Sequence, residues 1–285
     1  MSVLLAFTKI IPDKLYLKML YYKHFGRFPD LKNPKTFNEK LQWLKLYDRN
    51  PKYIEMVDKH LVKKYIAEKI GEEYVIPTLG VWNDPDDIDF DSLPDQFVLK
   101  WNHDSGSIVI CKDKSKLDRK AAIQKLQRGK KFSGFWYGRE WPYKGVEKKI
   151  IAEKYMVDSH TEELRDYKFF CFGGEPRALF VATDRQKAGE EVKFDFFDME
   201  YNHIDVRNGH DNANVPPEKP KCFEEMKELC KKLSEGIPHV RVDFYEVDGK
   251  VYFGELTFYH FSGMVKYEPE EWDVTFGNWI ELPRK

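Results

Sequence analysis

The stretch RVDFYEVDGKVYFGELTFYHFSG, Arg241 to Gly263, decides the fold. Two runs rich in Val, Phe and Tyr flank Asp248-Gly249, a dipeptide suited to a tight hairpin turn. On the first strand Arg241 and Asp243 are two apart and share a face, as Glu255 and Thr257 do on the second. Register determines whether the two faces coincide. A two-residue turn at Asp248-Gly249 pairs Asp243 with Gly254 and sends Glu255 to the other side of the sheet. A three-residue loop, Val247-Asp248-Gly249, closed by a glycine bulge pairs Glu246 with Lys250. It sets Glu255 opposite Arg241 and Asp243 opposite Phe253, with all three charged groups on one face. The odd-length loop, or an equivalent bulge, is therefore expected.

Two carboxylates at close range among apolar neighbours repel each other and lose hydration unless a cation sits between them. Mg²⁺ suits such a pair, because it takes oxygen ligands and keeps substrate phosphates in its shell. The arginine can hold a carboxylate or phosphoryl oxygen bidentately. The competing reading is an ordinary cross-strand ion pair between Arg241 and Glu255.

A phosphate site needs further cations. In FVLKWNHDSGSIVICKD, Phe97 to Asp113, a strand ends at Lys100, bends through Asn102-His103-Asp104-Ser105-Gly106-Ser107 and resumes as Ser107 to Cys111. Backbone N–H groups in such a bend can point at a phosphate, and Gly106 permits close approach. No GxxxxGK[ST] motif is present. A second candidate cation is Lys59, beside Asp58; alone it reads as a solvated helix residue. Glu153-Lys154-Tyr155-Met156 ends another strand.

Around these stretches the pattern is mixed. Residues 13–70 read as helical. Thr36 and Glu39 have capping-box spacing, and a later helix from Tyr53 to Ile70 breaks at Asp58, a candidate cap, and stops at Gly71. The start, MSVLLAFTKIIPDK, has neither a basic n-region nor a small-residue cleavage site, so a helix packed on the body is expected there, with loose membrane contact the lesser alternative, and not a signal peptide. Strand patterns cover Ile150–Met156, Tyr167–Phe172, Ala178–Ala182 and a closing hairpin, Val240–Thr257. Residues 116–128 read as a short helix. Cys222–Ser234 is an amphipathic helix with Phe223, Met226, Leu229, Cys230 and Leu233 on one face. Acidic Asn83–Pro94 and Pro-rich Asn208–Lys221 read as loops. This order predicts an α+β fold of two or three lobes with a cleft between lobes.

The chain has 285 residues, enough for a large core, and a net charge of −1, which argues against a dedicated nucleic-acid binder. Its four cysteines form no CxxC pair and read as reduced thiols of a cytoplasmic protein. No apolar run approaches the roughly 20 residues of a membrane span.

Taken in order, NPKTFNEKLQWLKLYDRNP, VDKH, FVLKWNHDSG, GREWPYK, IIAEKYM, DYKFFCFGGEP and the Arg241–Gly263 stretch resemble the ATP-grasp superfamily, in its TupA-like (teichuronopeptide biosynthesis-type) branch. The resemblance implies an ATP-grasp-like α+β fold, its nucleotide cleft between two α+β lobes, with a helical N-terminal extension. The parts would be a helical extension at 1–57, a central lobe at 58–96, an ATP-binding lid at 97–157 and a C-terminal lobe with the metal site at 158–285. It implies ATP and Mg²⁺. Lys59 and Lys100 resemble the nucleotide lysines, and His103, Ser105, Gly106 and Ser107 the phosphate loop. Glu153, Lys154 and Met156 resemble the adenine-reading hinge, and Asp166 or Asp158 would take the ribose. Asp243, Glu255 and Thr257 resemble the metal ligands, Arg241 the arginine that steadies an acyl phosphate, and Ser262-Gly263 the backbone near the reacting carboxylate.

Two departures stand out. Thr257 replaces the usual asparagine, a poorer ligand, so a second Mg²⁺ is expected to be weakly held. The phosphate loop has one glycine, which stiffens it. The implied activity is ADP-forming ligation of a carboxylate to an amine, joining an amino acid to a sugar of a bacterial surface polysaccharide or its precursor. The basic, aromatic segment Arg128–Lys148 would grip an acidic sugar or pack inward as a lid, and Arg185-Gln186-Lys187 would lie in a loop. Two other readings remain. One is a glycosyltransferase, with weak DxD-like runs at Asp87-Ile88-Asp89 and Asp211-Asn212-Ala213-Asn214. The other is a nucleotide-binding module without catalysis, motivated by Thr257.

Overall fold

The computed structural model describes residues 8–159, 164–184, 189 and 191–284. Arg185-Gln186-Lys187 lie outside the described residues, as do the first seven. The N-terminal third is helical: α1 (Asp13–Phe25), α2 (Phe37–Tyr47), α3 (Lys52–Val57) and α4 (Val62–Lys69). The expected capping box starts α2. The Thr36 hydroxyl accepts from the Glu39 N–H at 3.2 Å, and the Glu39 carboxylate accepts from the Thr36 N–H at 3.4 Å. The break between α3 and α4 falls at Asp58, whose Oδ1 accepts the N–H groups of His60 and Leu61 at 2.8 and 3.1 Å. The helix resumes only at Val62, later than a cap at Asp58 implies.

A four-stranded antiparallel sheet follows, from β1 (Thr78–Trp82), β2 (Phe97–Trp101), β3 (Val109–Cys111) and β4 (Ile150–Lys154), in the order β1-β4-β2-β3. Helix α5 (Arg119–Gly129) covers it. Trp101 is fully buried, and its indole N–H donates to the Leu126 carbonyl at 2.8 Å. Short α6 (Gly134–Gly138) lies between α5 and β4 in sequence. The second sheet has β5 (Asp166–Phe172), β6 (Glu175–Thr183), β7 (Lys193–Phe197), β8 (His203–Ile204), β9 (His239–Val247) and β10 (Lys250–Thr257). Its order is β10-β9-β5-β6-β7-β8, antiparallel throughout, so the fold is α+β.

Helix α7 (Phe223–Ser234) buries its expected apolar face, and Phe37, Leu41 and Leu44 of α2 enter the same core. The Phe37 ring meets Phe170 and Phe276 edge-on at 6.0 and 5.9 Å. Phe276 belongs to α8 (Glu271–Trp279). All four cysteines are buried and free.

The late hairpin corrects the register in detail and keeps its consequence. Val247 pairs with Lys250 around the two-residue Asp248-Gly249 turn, so the three-residue loop does not form. Both turn residues are left-handed, with φ of 51° and 73°, as a primed hairpin turn requires. The extra residue is inserted at Gly254 instead. Phe253 still faces Phe244, but beyond the bulge Glu255 faces Asp243 and Thr257 faces Arg241. A Cβ at residue 254 would lie 3.1 Å from the Asp243 carbonyl oxygen, so glycine suits the bulge.

Other boundaries differ as well. Strand β3 starts at Val109, not Ser107, and β4 stops at Lys154, before Met156. The sequence reading missed α6, β7, β8 and α8. In β7, Asp195 interrupts the apolar pattern yet is buried, because it accepts from the Ala213 N–H at 3.2 Å and pairs with His203 at 3.2 Å.

Helix α8 crosses the start of α2 at Gly277, where a Cβ would stand 2.1 Å from the Lys35 carbonyl oxygen. The neighbours are backbone and cannot yield cheaply. Gly277→Ala is therefore expected to lower the unfolding free energy by about 1–3 kcal/mol, read as an earlier midpoint in urea denaturation; an unchanged midpoint would contradict this packing.

Candidate active site

Strand alternation places Arg241 and Asp243 on one face of β9, and the Gly254 bulge brings Glu255 and Thr257 of β10 onto it. The Arg241 guanidinium grips Asp243 with two bonds, Nε to Oδ1 and Nη2 to Oδ2, both 2.7 Å. The same Nη2 reaches Glu255 Oε1 at 3.3 Å and Thr257 Oγ1 at 3.0 Å. Nη1 donates to His260 Nδ1 at 2.7 Å. That bond leaves the His260 proton on Nε2, which donates to Asn208 Oδ1 at 2.8 Å. Burial and the adjacent Arg241 hold the His260 pKa well below its ordinary value, so the ring is neutral.

From the neighbouring strand β5, Lys168 sits in register with Asp243 and pairs with it and with Asp166, the latter at 2.6 Å. Lys59 arrives from the turn between α3 and α4. Its Nζ lies 3.4 Å from Glu255 Oε2 and donates to the Asp104 carbonyl at 3.0 Å. Burial alone would raise the Glu255 pKa, but Lys59, Lys168 and Arg241 outweigh it and keep the carboxyl well below the usual carboxylate range.

The four-stranded sheet carries a second cluster. Glu153 is buried between Lys100 and Lys63, at 2.6 and 2.7 Å. Burial pushes its pKa up, and the two ammonium groups more than reverse the shift. The bend after Lys100 is anchored by Asn102, whose Nδ2 donates to Asp58 Oδ2 and to the Glu147 carbonyl, both at 2.8 Å. His103, Asp104 and Ser107 are buried, while Ser105 and Gly106 are exposed at the tip. Burial and Lys148 push the His103 pKa down to about 4.

A cleft of about 670 Å³ joins the two sides, touching His103, Ser105, Arg241, Glu255 and Thr257. Its floor includes Phe261 and Ser262, which with Gly263 form three successive residues with left-handed backbone, φ 46°, 56° and 61°. Two of them are not glycine, and such a conformation persists only where surroundings impose it. Here α2 imposes it. The buried Lys45 Nζ donates to the Ser262 carbonyl and hydroxyl, both at 2.7 Å, and to Gln42 Oε1 at 3.1 Å. Gln42 Nε2 donates to the Gly263 carbonyl at 3.0 Å. Burial pushes the Lys45 pKa down to about 8, opposed by Glu140.

The structure thus gathers Lys59, Arg241, Asp243, Glu255 and Thr257, with Asp166 beside them through Lys168. Asp158 lies apart, accepting the Asp248 N–H at 2.9 Å. Lys154 is exposed at the end of β4, and Met156 follows it outside the strand. The DxD-like acids are elsewhere: Asp87 and Asp89 are exposed between β1 and β2, and Asp211 is not among the cleft residues. Sequence reasoning missed Lys168, Lys63, His260 and Lys45. Lys168 had a signal, its i, i+2 spacing from Asp166; Lys45, in the last turn of α2, had none.

For a magnesium ion the donor set fits in kind and in convergence. Oxygens of Asp243, Glu255 and Thr257 all lie within 2.7–3.3 Å of one atom, Arg241 Nη2. The guanidinium nitrogen and a metal ion are therefore alternatives at that point. Among the described residues there is no cluster of three or more His, Cys, Asp or Glu arranged for a metal.

A family model described as TupA-like ATPgrasp matches residues 39–281. No curated protein matches the chain. Among solved structures, the chain is similar to D-alanine–D-alanine ligase from Bacillus anthracis complexed with ATP (15% identity, 71% of this chain, 53% of that one, TM-score 0.40). It is also similar to D-alanine–D-alanine ligase from Helicobacter pylori (14% identity, 86% and 69%, TM-score 0.44). A third is a RimK domain ATP-grasp protein from Sphaerobacter thermophilus (10% identity, 82% and 70%, TM-score 0.44). The chain spans about half the length of the Bacillus anthracis ligase.

Glu153 supplies a pH test. Its folded pKa is depressed, so its stabilisation is complete above the unfolded value near 4.3 and is lost as pH falls through the folded value. Glu153→Gln leaves Lys63 and Lys100 facing each other and is expected to cost about 3 kcal/mol at pH 7. In urea denaturation the gap from the native protein should narrow below about pH 4; a gap constant from pH 7 to 3 would refute the ion triad.

Proposed function

We propose that this chain, which belongs to the TupA-like ATP-grasp family, is an ADP-forming carboxylate–amine ligase. Its substrates would be an amino acid and a sugar carboxylate of a bacterial surface polysaccharide or its precursor. The observation that carries the reading is the contact of Lys59 with Glu255. It brings a cation from the helical side to within 3.4 Å of the acid face, where a triphosphate needs charge from both sides.

In this reading Lys59 and Lys100 bind phosphate oxygens, and the tip of the bend, Ser105-Gly106, approaches them. Glu153, Lys154 and Met156 meet the adenine, and Asp166 the ribose. Asp243, Glu255 and Thr257 would hold Mg²⁺, which neutralises phosphate charge when bound. A substrate carboxylate oxygen attacks the γ-phosphorus, the bond to the β-phosphate oxygen breaks, and ADP leaves. The amine then attacks the acyl carbon, the carbon–oxygen bond to phosphate breaks, and phosphate leaves. Arg241 steadies the acyl phosphate, and the Ser262-Gly263 floor positions the carboxylate. In-line transfer of this kind is mostly placement and charge neutralisation.

A second reading, nucleotide binding without turnover, is favoured by Thr257 at the asparagine position and by Arg241 Nη2 at the centre of the oxygen set. Incubation with Mg·ATP, a panel of uronic acids and the twenty amino acids separates the two. Acceptor-dependent ADP release is expected, reduced about 100-fold or more by Asp243→Asn or Glu255→Gln. ATP binding with no acceptor-dependent ADP across the panel would favour the binding module and end the ligase reading.

A further inference from the structure

The cleft contains one carboxylate that the reading above does not use. Glu140 follows α6 and lines the same cleft as Arg241 and Glu255. Among the described residues no cation lies within ion-pairing distance of it. The nearest cationic influence is Lys45, but Lys45 directs its hydrogens at Ser262 and Gln42. Ser262 links the two: its hydroxyl accepts from Lys45 and turns to Glu140. Gly138 makes room for that approach, since a Cβ there would stand 2.3 Å from Ser262 Oγ and 3.0 Å from Glu140 Oε1.

The surroundings suit a cation. Tyr143 lines the same cleft as Glu140 and Glu255. Phe132 and Tyr137, both on the cleft wall, stack with centroids 5.4 Å apart. A carboxylate inside aromatic walls is the chemistry that recognises an ammonium group.

We propose that Glu140 is the anchor for a primary ammonium group, that of the amine-donating substrate. This rests on the ligase reading for its role, not for the binding itself. Transfer of one N–H proton to the Glu140 carboxylate frees the nitrogen lone pair. That pair bonds to the acyl carbon as the carbon–oxygen bond to phosphate breaks, and the second proton that the nitrogen sheds to become an amide leaves on the released phosphate. Burial raises the proton affinity of Glu140, with Lys45 and Ser262 opposing, which suits it to accept the proton.

The test uses the full chain and ethylammonium chloride as probe, observed by saturation-transfer NMR, with sodium acetate as the control. The native protein is expected to transfer saturation to the ethylammonium methyl group. Glu140→Gln should reduce the effect at least fivefold, and Glu140→Asp should restore part of it. Matched thermal melts show that each variant is folded. No transfer from the native protein, equal transfer from Glu140→Gln, or stronger transfer to acetate would overturn the proposal. Calorimetric titration with a non-hydrolysable ATP analogue and Mg²⁺ runs alongside and should give the same affinity for the native protein and Glu140→Gln. If neither protein binds nucleotide, the ligase reading fails while the ammonium result still stands or falls on its own signal.

Discussion

The Arg241 guanidinium, clamped on Asp243 and shared with Glu255, Thr257 and His260, is the interaction on which the rest of the molecule depends. Charged groups this deep are tolerable only when each has partners. The strands are arranged to provide them: β5 delivers Lys168 opposite Asp243, and the bulge at Gly254 turns Glu255 onto the same face. Behind the arginine, His260 and Asn208 complete a hydrogen-bonded line that fixes the guanidinium plane. One inserted residue in β10 therefore separates a converging acid face from two carboxylates on opposite sides of a sheet.

Helix α2 joins that face to the hydrophobic core. Its apolar side, with Phe37, Leu41 and Leu44, packs on the large sheet. Its polar side sends Gln42 and Lys45 to hold Phe261-Ser262-Gly263 in a left-handed path. The energy of core burial thus maintains a strained floor beside the arginine. Across the cleft, Asn102 and Asp58 tie the bend after β2 to the turn that carries Lys59. The lysine and the bend are consequently positioned together, and the buried stem of the bend leaves only Ser105 and Gly106 exposed for adjustment at the tip.

Much of this was legible in the sequence because it is local. The Thr36–Glu39 box, the amphipathic α7 and the two strands around Asp248-Gly249 follow from spacing alone. The convergence of Arg241, Asp243 and Glu255 was readable as a need, since two acids on one apolar face require a cation. The position of the extra residue was not, because a loop bulge and a strand bulge satisfy that need equally. Lys45 and Glu140 were out of reach for a different reason. They meet through Ser262, more than a hundred residues from either, and no periodicity connects such positions. Buried polar strands such as β7 mislead pattern reading in the same way, since the partners of Asp195 come from a distant loop and from β8.

The most direct measurement is a crystal structure of the full chain with a non-hydrolysable ATP analogue and Mg²⁺. The account predicts phosphate oxygens between Lys59 and Lys100, and a metal ion on Asp243 and Glu255 with Arg241 Nη2 withdrawn from the point it now holds. Nucleotide bound elsewhere, or density showing Arg241 still centred on all three oxygens with no phosphate near Lys59, would contradict it.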